Sequence, residues 1–311
     1  DIGNNAFNSS FYSNDGARMI INHNKFSEFS TFFYRAYVND NGLLDIDANE
    51  FIGNHGQLTG DRWQVSHADA RIRFTNNQST NNSRLNFYAL GDNATDYQVI
   101  IENNQLSSSS TSEISFEGLN AAEGRFLMKD NTLDTMRVSV SNAAKALIQG
   151  NTIKNSQNAW NPCIRINNSY AVVENNTIQD HRGSGIEIYA SFDYQVVKDT
   201  IRNNTITGNN TYNNNYRGGI VISDYGNPVI WYNDIYDNNQ YDIRNNSTIN
   251  DIDARFNWWG TTTTASMDAG SNPKDISKIY DYYDDNSLGS DNYASCLSDS
   301  LLYTSPSPRD Q

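Results

Sequence analysis

A phrase of six positions recurs along the chain in the order apolar, polar, polar, Asn, polar, apolar. Clear copies are IENNQL at 101–106, VENNTI at 173–178 and IRNNTI at 201–206. The asparagines of successive copies are 20 to 29 residues apart, a period that is typical of solenoid proteins. The asparagines that mark the phrase are Asn24, Asn49, Asn77, Asn104, Asn131, Asn151, Asn176, Asn204, Asn233 and Asn257.

Two columns of apolar residues flank these asparagines, and Ser79 and the small Ala254 are the exceptions. Runs this short do not show the spacing of an amphipathic helix, which needs apolar residues three and four apart over ten or more positions. Three positions before each Asn stand Ile21, Ile46, Phe74, Ile101, Met128, Ile148, Val173, Ile201, Ile230 and Ala254. Two positions after it stand Phe26, Phe51, Ser79, Leu106, Leu133, Ile153, Ile178, Ile206, Ile235 and Trp259.

A second segment of each repeat alternates with period two, as in CIRI, GIEI and GIVI. This alternation predicts a strand whose middle residue faces solvent. The middle residues are Tyr37, Gln64, Asn86, Ser115, Ser139, Arg165, Glu187, Val221 and Asp242.

The recurring Asn is predicted to have a structural role. Asn tolerates the left-handed backbone conformation that a sharp turn between strands requires. In stacked coils its amide would lie about 4.8 Å from the next one, close enough for a ladder of hydrogen bonds. Because a buried unpaired amide costs about 1–3 kcal/mol, the ladder should be fully paired.

Ten such phrases in register resemble the right-handed parallel β-helix superfamily, the pectate-lyase-like proteins, over roughly residues 15–260. The resemblance implies an all-β fold, a right-handed parallel β-helix of about ten coils with a short C-terminal capping helix. It does not imply one activity, because a fold carries many functions.

Sequence features in the C-terminal fifth of the chain predict a cap over the last coil. FNWWGT at 256–261 resembles the closing stretch of secreted bacterial β-helix proteins, in which Trp258 or Trp259 would fill the last coil. Asp275 is predicted to begin a short helix that Gly289 ends. We therefore divide the chain into a β-helix at 1–260, a cap at 261–299 and a non-native tail at 300–311. Residues 301–310, LLYTSPSPRD, resemble a translated sequencing adapter of the kind found in metagenomic fragments; a disordered Ser/Pro-rich tail is the alternative.

Composition and charge argue against several classes of binding partner. The 311 residues include 22 basic and 36 acidic ones, a net charge of −14, which disfavours nucleic acid and anionic membranes. No apolar run is long enough for a transmembrane segment. Cys163 and Cys296 are too few for a disulfide framework and lack zinc-ligand spacing. With the resemblance, this composition predicts an extracellular or cell-surface protein. A monomer is predicted in preference to a fibre-like trimer, because no triple-stranded or coiled-coil segment appears in the sequence.

Common catalytic motifs are absent from the sequence: it contains no GxSxG, HExxH, GKS or CxxC. Pectin hydrolases of the superfamily pair carboxylates with a Gly-His-Gly segment, and here only Asn54-His55-Gly56 is similar. The superfamily's lyases use Arg or Lys as base, often beside calcium, and no segment matches their active-site motifs. We expect no required cofactor, and the sequence leaves calcium open as a ligand.

Polar, cationic and aromatic residues of coils six to eight form the candidate site. Aromatic rings stack on sugars, Arg binds carboxylate or sulfate, and a carboxylate can transfer a proton. The alternatives are structural: Arg165 with Glu187 can be an ordinary cross-strand pair, and His181 can cap a loop. The residues predicted to bind substrate are Trp160, Arg165, Arg182, Tyr216, Arg217, Asp224 and Tyr225, and the candidates for catalysis are Arg182, Glu187 and His181.

Two functions follow from these residues. The first is a secreted or cell-surface β-helix module that presents a polar face to a glycan or another surface. The alternative is a polysaccharide lyase or glycoside hydrolase that acts on an acidic polysaccharide. The sequence leaves open whether the protein is an enzyme.

Overall fold

The computed structural model describes residues 2–3, 10–13, 15–27, 29–53, 56–81, 84–90, 94–119, 124–191, 198–271 and 273–300. Within these ranges the chain winds into a parallel β-solenoid of about nine turns, one fewer than predicted. Three strand ladders run along it, and every strand pairs with the equivalent strands of the neighbouring turns. The predicted all-β, parallel β-helix fold is confirmed.

The three ladders account for all described strands. The first contains β3 (Arg18–Asn22), β6 (Leu43–Asp47), β9 (Arg71–Thr75), β12 (Val99–Glu102), β14 (Arg125–Lys129), β16 (Lys145–Gln149), β19 (Ala171–Glu174), β22 (Thr200–Arg202), β25 (Val229–Trp231), β28 (Ile252–Asp253) and β30 (Asp291–Asn292). The second contains β1 (Ile2–Gly3), β4 (Lys25–Ser27), β7 (Glu50–Ile52), β10 (Gln78–Thr80), the start of β13 (Gln105–Gly118), the start of β15 (Thr132–Ser141), β17 (Thr152–Lys154), β20 (Thr177–Gln179), β23 (Thr205–Thr207) and β26 (Asp234–Tyr236). The third contains β2 (Ser10–Ser13), β5 (Thr31–Val38), β8 (Gln57–Val65), β11 (Leu85–Ala89), the ends of β13 and β15, β18 (Ile164–Asn167), β21 (Ile186–Ala190), β24 (Gly218–Asp224), β27 (Tyr241–Asn246) and β29 (Ile279–Tyr280).

The two predicted apolar columns stack in register and line the core. Ile101 lies opposite Met128 in the first ladder, and Leu106 lies opposite Leu133 in the second. All four side chains are buried. Burying such side chains in every turn is the main favourable contribution to folding, at about 1.5–3 kcal/mol each.

The asparagine ladder is confirmed along its whole predicted length. Asn176 shows the pattern: its backbone N–H and its Nδ2 both donate to Oδ1 of Asn204, at 2.9 Å each. Its own Oδ1 accepts the same two bonds from Asn151. The nine steps run without interruption from Asn24 to Asn257.

The predicted left-handed conformation belongs to a different residue. None of the ten ladder asparagines has a positive φ; the residue before each of them does. This corner residue turns the chain so that the next side chain points inward and its amide joins the ladder. The corner residues are His23, Ala48, Asn76, Asn103, Asp130, Gly150, Asn175, Asn203, Tyr232 and Phe256, with φ between 52° and 69°.

Two positions of the third ladder also differ from the prediction. Arg244, and not Asp242, continues the outward row after Val221, and Gln64 lies opposite Tyr88 where Asn86 was predicted. Asp242 is buried. The register is set by Ile243, which stacks on Ile220.

The cap differs most from the prediction. Its helix is α1 (Gly260–Asp268), directly after Trp259, whereas residues 275–289 form turns and the short strand β29. The Asp281 carboxylate stabilises these turns by accepting the backbone N–H groups of Tyr283 and Asp291. Trp259 is the tryptophan that fills the last turn, because its side chain is buried in the core while Trp258 is only partly buried. The tail at 301–310 and the Asn54-His55 pair lie outside the described residues.

No described helix is long and apolar enough to cross a membrane.

Candidate functional site

Loops at the corner between the second and third ladders bring aromatic and cationic side chains together. Trp160, Arg182 and Tyr212 lie on three successive turns of the solenoid. The rings of Trp160 and Tyr212 are 5.9 Å apart, and the Arg182 guanidinium lies 5.0 Å from the centre of the Tyr212 ring. Trp160 is 63% exposed and Tyr212 is 47% exposed. With Tyr216, which is 71% exposed on the same loop as Tyr212, these residues form what we call the loop surface.

The loop that carries Tyr212 and Tyr216 is held by a buried asparagine. Asn210 adopts a φ of 62°, and its Nδ2 donates to the carbonyls of Asn214, Arg217 and Asn239. The backbone N–H of Tyr212 donates to the carbonyl of Arg182, which joins this loop to the preceding turn. The aromatic side chains are therefore presented by an ordered backbone, which lowers the entropy cost of binding.

Glu187 lies between two arginines beside the loop surface. Its Oε2 accepts a 2.7 Å hydrogen bond from Nη1 of Arg217, and its Oε1 lies 3.4 Å from Nη2 of Arg165. Nη2 of Arg217 also donates to the backbone carbonyl of Trp160. Both Glu187 oxygens are thus engaged, and this geometry favours a role in positioning Trp160 over proton transfer.

Arg182 has a different electrostatic environment from these two arginines. No carboxylate among the described residues lies within ion-pair distance of its guanidinium. Its contact is with the face of Tyr212, a cation–π interaction. In a protein of net charge −14, this leaves a cation that a negatively charged ligand can pair with.

Arg244 extends the site towards the C-terminus. Its guanidinium lies 3.9 Å from the Tyr280 ring centre and 5.4 Å from that of Tyr216, and Nη1 donates to the carbonyl of Asn215. It therefore supports the base of the loop that carries Tyr216.

The structure separates Asp224 and Tyr225 from the loop surface. Asp224 is the last residue of β24 and Tyr225 follows it, so both lie about 20 Å along the strand from Arg217. The carbonyl of Asp224 accepts the Ser247 hydroxyl, and the N–H of Tyr225 donates to Ala190. These contacts fix a turn at the opposite edge of the third ladder.

His181 lies inside the solenoid. Its Nδ1 accepts the backbone N–H of Ser156 at 3.1 Å, so Nε2 carries the proton and donates to the carbonyl of Ile153 at 3.3 Å. Burial lowers the pKa of the imidazole to about 4. With both nitrogens bonded to backbone and 1% exposure, His181 has no free atom that reaches the loop surface.

These bonds belong to a second, shorter ladder that the sequence analysis missed. The backbone N–H of His181 donates to Oδ1 of Asn209, Asn209 donates to Oδ1 of Asn238, and Asn238 donates to Oδ1 of Asp242. Ser156, His181, Asn209 and Asn238 each stand five residues after a marker asparagine. That constant offset was the signal that could have revealed the ladder.

The His181→Asn variant should remove a pH dependence of stability. The unfolded chain protonates His181 near pH 6.5, whereas the folded pKa is about 4. Between these values the unfolded state binds more protons, so this residue makes the wild type less stable as the pH falls. At pH 7 we expect little change, because Asn can accept the Ser156 N–H. At pH 4 the variant should be more stable than the wild type by roughly 2–3 kcal/mol.

Urea denaturation of both proteins at pH 4, 5, 6 and 7 measures this difference. Equal pH dependence in the two proteins would contradict the buried neutral state of His181. A large loss of stability at pH 7 would instead contradict the equivalence of His and Asn at this ladder position.

Metal-binding groups are sparse in the described part of the chain. No cluster of three or more His, Cys, Asp or Glu side chains suited to a metal ion occurs there. Cys163 is buried and unpaired, and burial raises the pKa of its thiol well above the usual value.

One family model matches the central part of the chain. Residues 63–210 match the family model described as "Right handed beta helix region". No curated protein and no solved structure matches the chain. The three parallel ladders run through this span and beyond it on both sides, so the described part of the chain has the parallel β-helix fold, and residues 63–210 are similar to the right-handed β-helix family.

Proposed function

We propose that the protein binds an acidic glycan at the loop surface. The observation that carries this proposal is the pairing of exposed Trp160 and Tyr212 with Arg182, a cation that lacks a carboxylate partner among the described residues. Aromatic faces pack against the apolar faces of sugar rings, and the Arg fork binds carboxylate or sulfate in two hydrogen bonds. A glycan of uronate or sulfated units offers both.

The ordered loop supports binding over chemistry as the role of this surface. Trp160 is tied to Arg217, and Tyr212 is tied to Arg182 through its backbone. The Glu187 carboxylate beside this surface is already paired with two arginines. We accordingly propose a non-catalytic module that acts as a monomer at the cell surface or outside the cell, requires no cofactor, does not bind nucleic acid, and tolerates calcium as an optional bridge to its ligand.

Arg182→Ala should weaken binding of uronate or sulfated oligosaccharides by about tenfold or more, because a charge-assisted bidentate contact is lost. Arg202→Ala is the matched control: it removes the same charge from the first ladder, where Arg202 pairs with Glu174. Isothermal titration of wild type and both variants, with and without calcium, measures the difference. Equal weakening in both variants would show non-specific attraction and contradict the proposal.

The same incubations test the lyase and hydrolase alternative. Absorbance from unsaturated sugar ends, or new reducing ends, would show turnover by the wild type. Turnover that Arg182→Ala abolishes would replace the binding proposal with a catalytic one.

A further inference from the structure

A cavity of about 510 Å³ lies at the C-terminal end of the solenoid. It is lined by the last turn, the first two turns of α1 and the segment 276–278, and it is open to solvent. None of its lining residues belongs to the loop surface. Its volume is within the range of small-molecule sites, about 300–1,000 Å³.

Asp242 is one of the lining residues, and its carboxyl is buried. Its Oδ1 accepts the backbone N–H and the Nδ2 of Asn238 and so ends the second ladder. Its Oδ2 has no hydrogen-bond partner among the described residues, although the side chain is 1% exposed. Buried polar atoms are nearly always paired, so a donor is expected to complete this one.

Lys278 lines the same cavity, and its ammonium group has more hydrogen-bond donors than its bond to Asn238 requires. Its Nζ donates to the carbonyl of Asn238 at 2.6 Å, which uses one of the three ammonium donors. Its backbone carbonyl accepts the N–H of Asp242 at 2.7 Å. This bond places the backbones of Asp242 and Lys278 side by side, and the bond to Asn238 holds the ammonium group.

Aromatic and hydroxyl groups form the rest of the lining. The rings of Tyr236 and Trp258 lie 5.0 Å apart at 59° to each other, and α1 contributes the hydroxyls of Thr262 and Ser266. One carboxyl acceptor, one ammonium donor, hydroxyls and aromatic rings match a ring with several hydroxyl groups. Asp237 also lines the cavity and disfavours an anionic ligand.

We propose that this cavity binds one neutral sugar residue. A sugar hydroxyl donates to Asp242 Oδ2, a second accepts from Lys278 Nζ, and the ring packs against Trp258 and Tyr236. The site is separate from the loop surface and takes a neutral ligand. This proposal can therefore be tested independently of the proposed function.

Two tryptophan substitutions on α1 test the proposal. Ser266 lines the cavity and Ala265 does not, and both are exposed on the same helix. Ser266→Trp should fill the cavity, whereas Ala265→Trp should leave it open. Binding of sugars to the full chain would be measured by saturation-transfer NMR and by equilibrium dialysis. A sugar concentration of about 10 mM detects millimolar affinities. The sugars are glucose, galactose, mannose, fucose and N-acetylglucosamine.

The expected result is saturable binding of at least one of these sugars by the wild type and by Ala265→Trp, with a loss of about tenfold or more in Ser266→Trp. Trp258→Ala should weaken the same sugar comparably, because an aromatic contact at the centre of a site is lost. Binding of none of the five sugars, or equal binding by Ser266→Trp and Ala265→Trp, would overturn the proposal.

Discussion

Replacing Asn176 with alanine is expected to lower the free energy of unfolding by about 3–5 kcal/mol. The amide accepts two N–H groups of Asn151 and donates to Asn204 and to the carbonyls of Ile148 and Glu174. Alanine leaves these buried groups unpaired in the middle of the ladder. Each unpaired buried group costs about 1–3 kcal/mol, and neighbouring losses add only in part.

Asn175→Ala is the matched control for this prediction. Asn175 is the corner residue of the same turn, with a φ of 56° and an exposed side chain. Alanine is tolerated at this position elsewhere, since Ala48 occupies the equivalent corner. We expect a loss of about 1 kcal/mol, the cost of a left-handed alanine. Urea denaturation of the two variants compares them, and similar losses would contradict the ladder's dominant role.

Trp259→Ala is expected to destabilise the C-terminal turns by about 3–5 kcal/mol, the usual cost of removing a buried aromatic side chain. The ring is 1% exposed and belongs to the core of the last turn. Because each turn of a solenoid is stabilised by its neighbours, the loss should be local. Hydrogen exchange should accelerate from β25 onwards and remain slow in the central turns.

Trp258→Ala provides the comparison at the adjacent position. Trp258 is only partly buried and packs against Tyr236. Its removal should cost less than about 2 kcal/mol. If the two variants had equal stability, Trp259 would not be the residue that closes the core.

The repeat made most of the fold predictable from the sequence. The marker Asn and its two flanking apolar positions recur from turn to turn. Each copy therefore predicts the same arrangement of strands and corner. The corner conformation was assigned to the wrong residue because Asn occupies both adjacent positions in several turns, as in Asn175-Asn176. Propensity alone does not distinguish a corner Asn from a ladder Asn.

Departures from the repeat explain the other errors. Asn245 occupies the inward position next to Ile222. Hydrogen bonds to Asn250, Gly289 and Asp291 offset the cost of burying its amide. A polar residue at that position shifted the predicted outward row from Arg244 to Asp242. In the cap, Asp275 and Gly289 predict the two ends of a helix, but the Asp281 carboxylate accepts local backbone N–H groups and favours turns.

The candidate site was predictable only in part. Trp160 and Arg182 could be placed at one corner because each follows a second-ladder strand. Tyr212 was missed, since its contact with Trp160 depends on how a loop insertion folds back over 52 residues of sequence. The pairing of Glu187 with Arg217 likewise depends on that loop.

Localised hydrogen exchange with a bound acidic oligosaccharide tests the central proposal most directly. Deuterium uptake would be compared in the free protein and in the presence of a uronate or sulfated oligosaccharide at saturating concentration. We predict slower exchange in the segments around Trp160, Arg182 and Tyr212, with no change in the first ladder around Arg202. Protection of the first ladder, or an unchanged loop surface while the oligosaccharide is bound, would contradict the account.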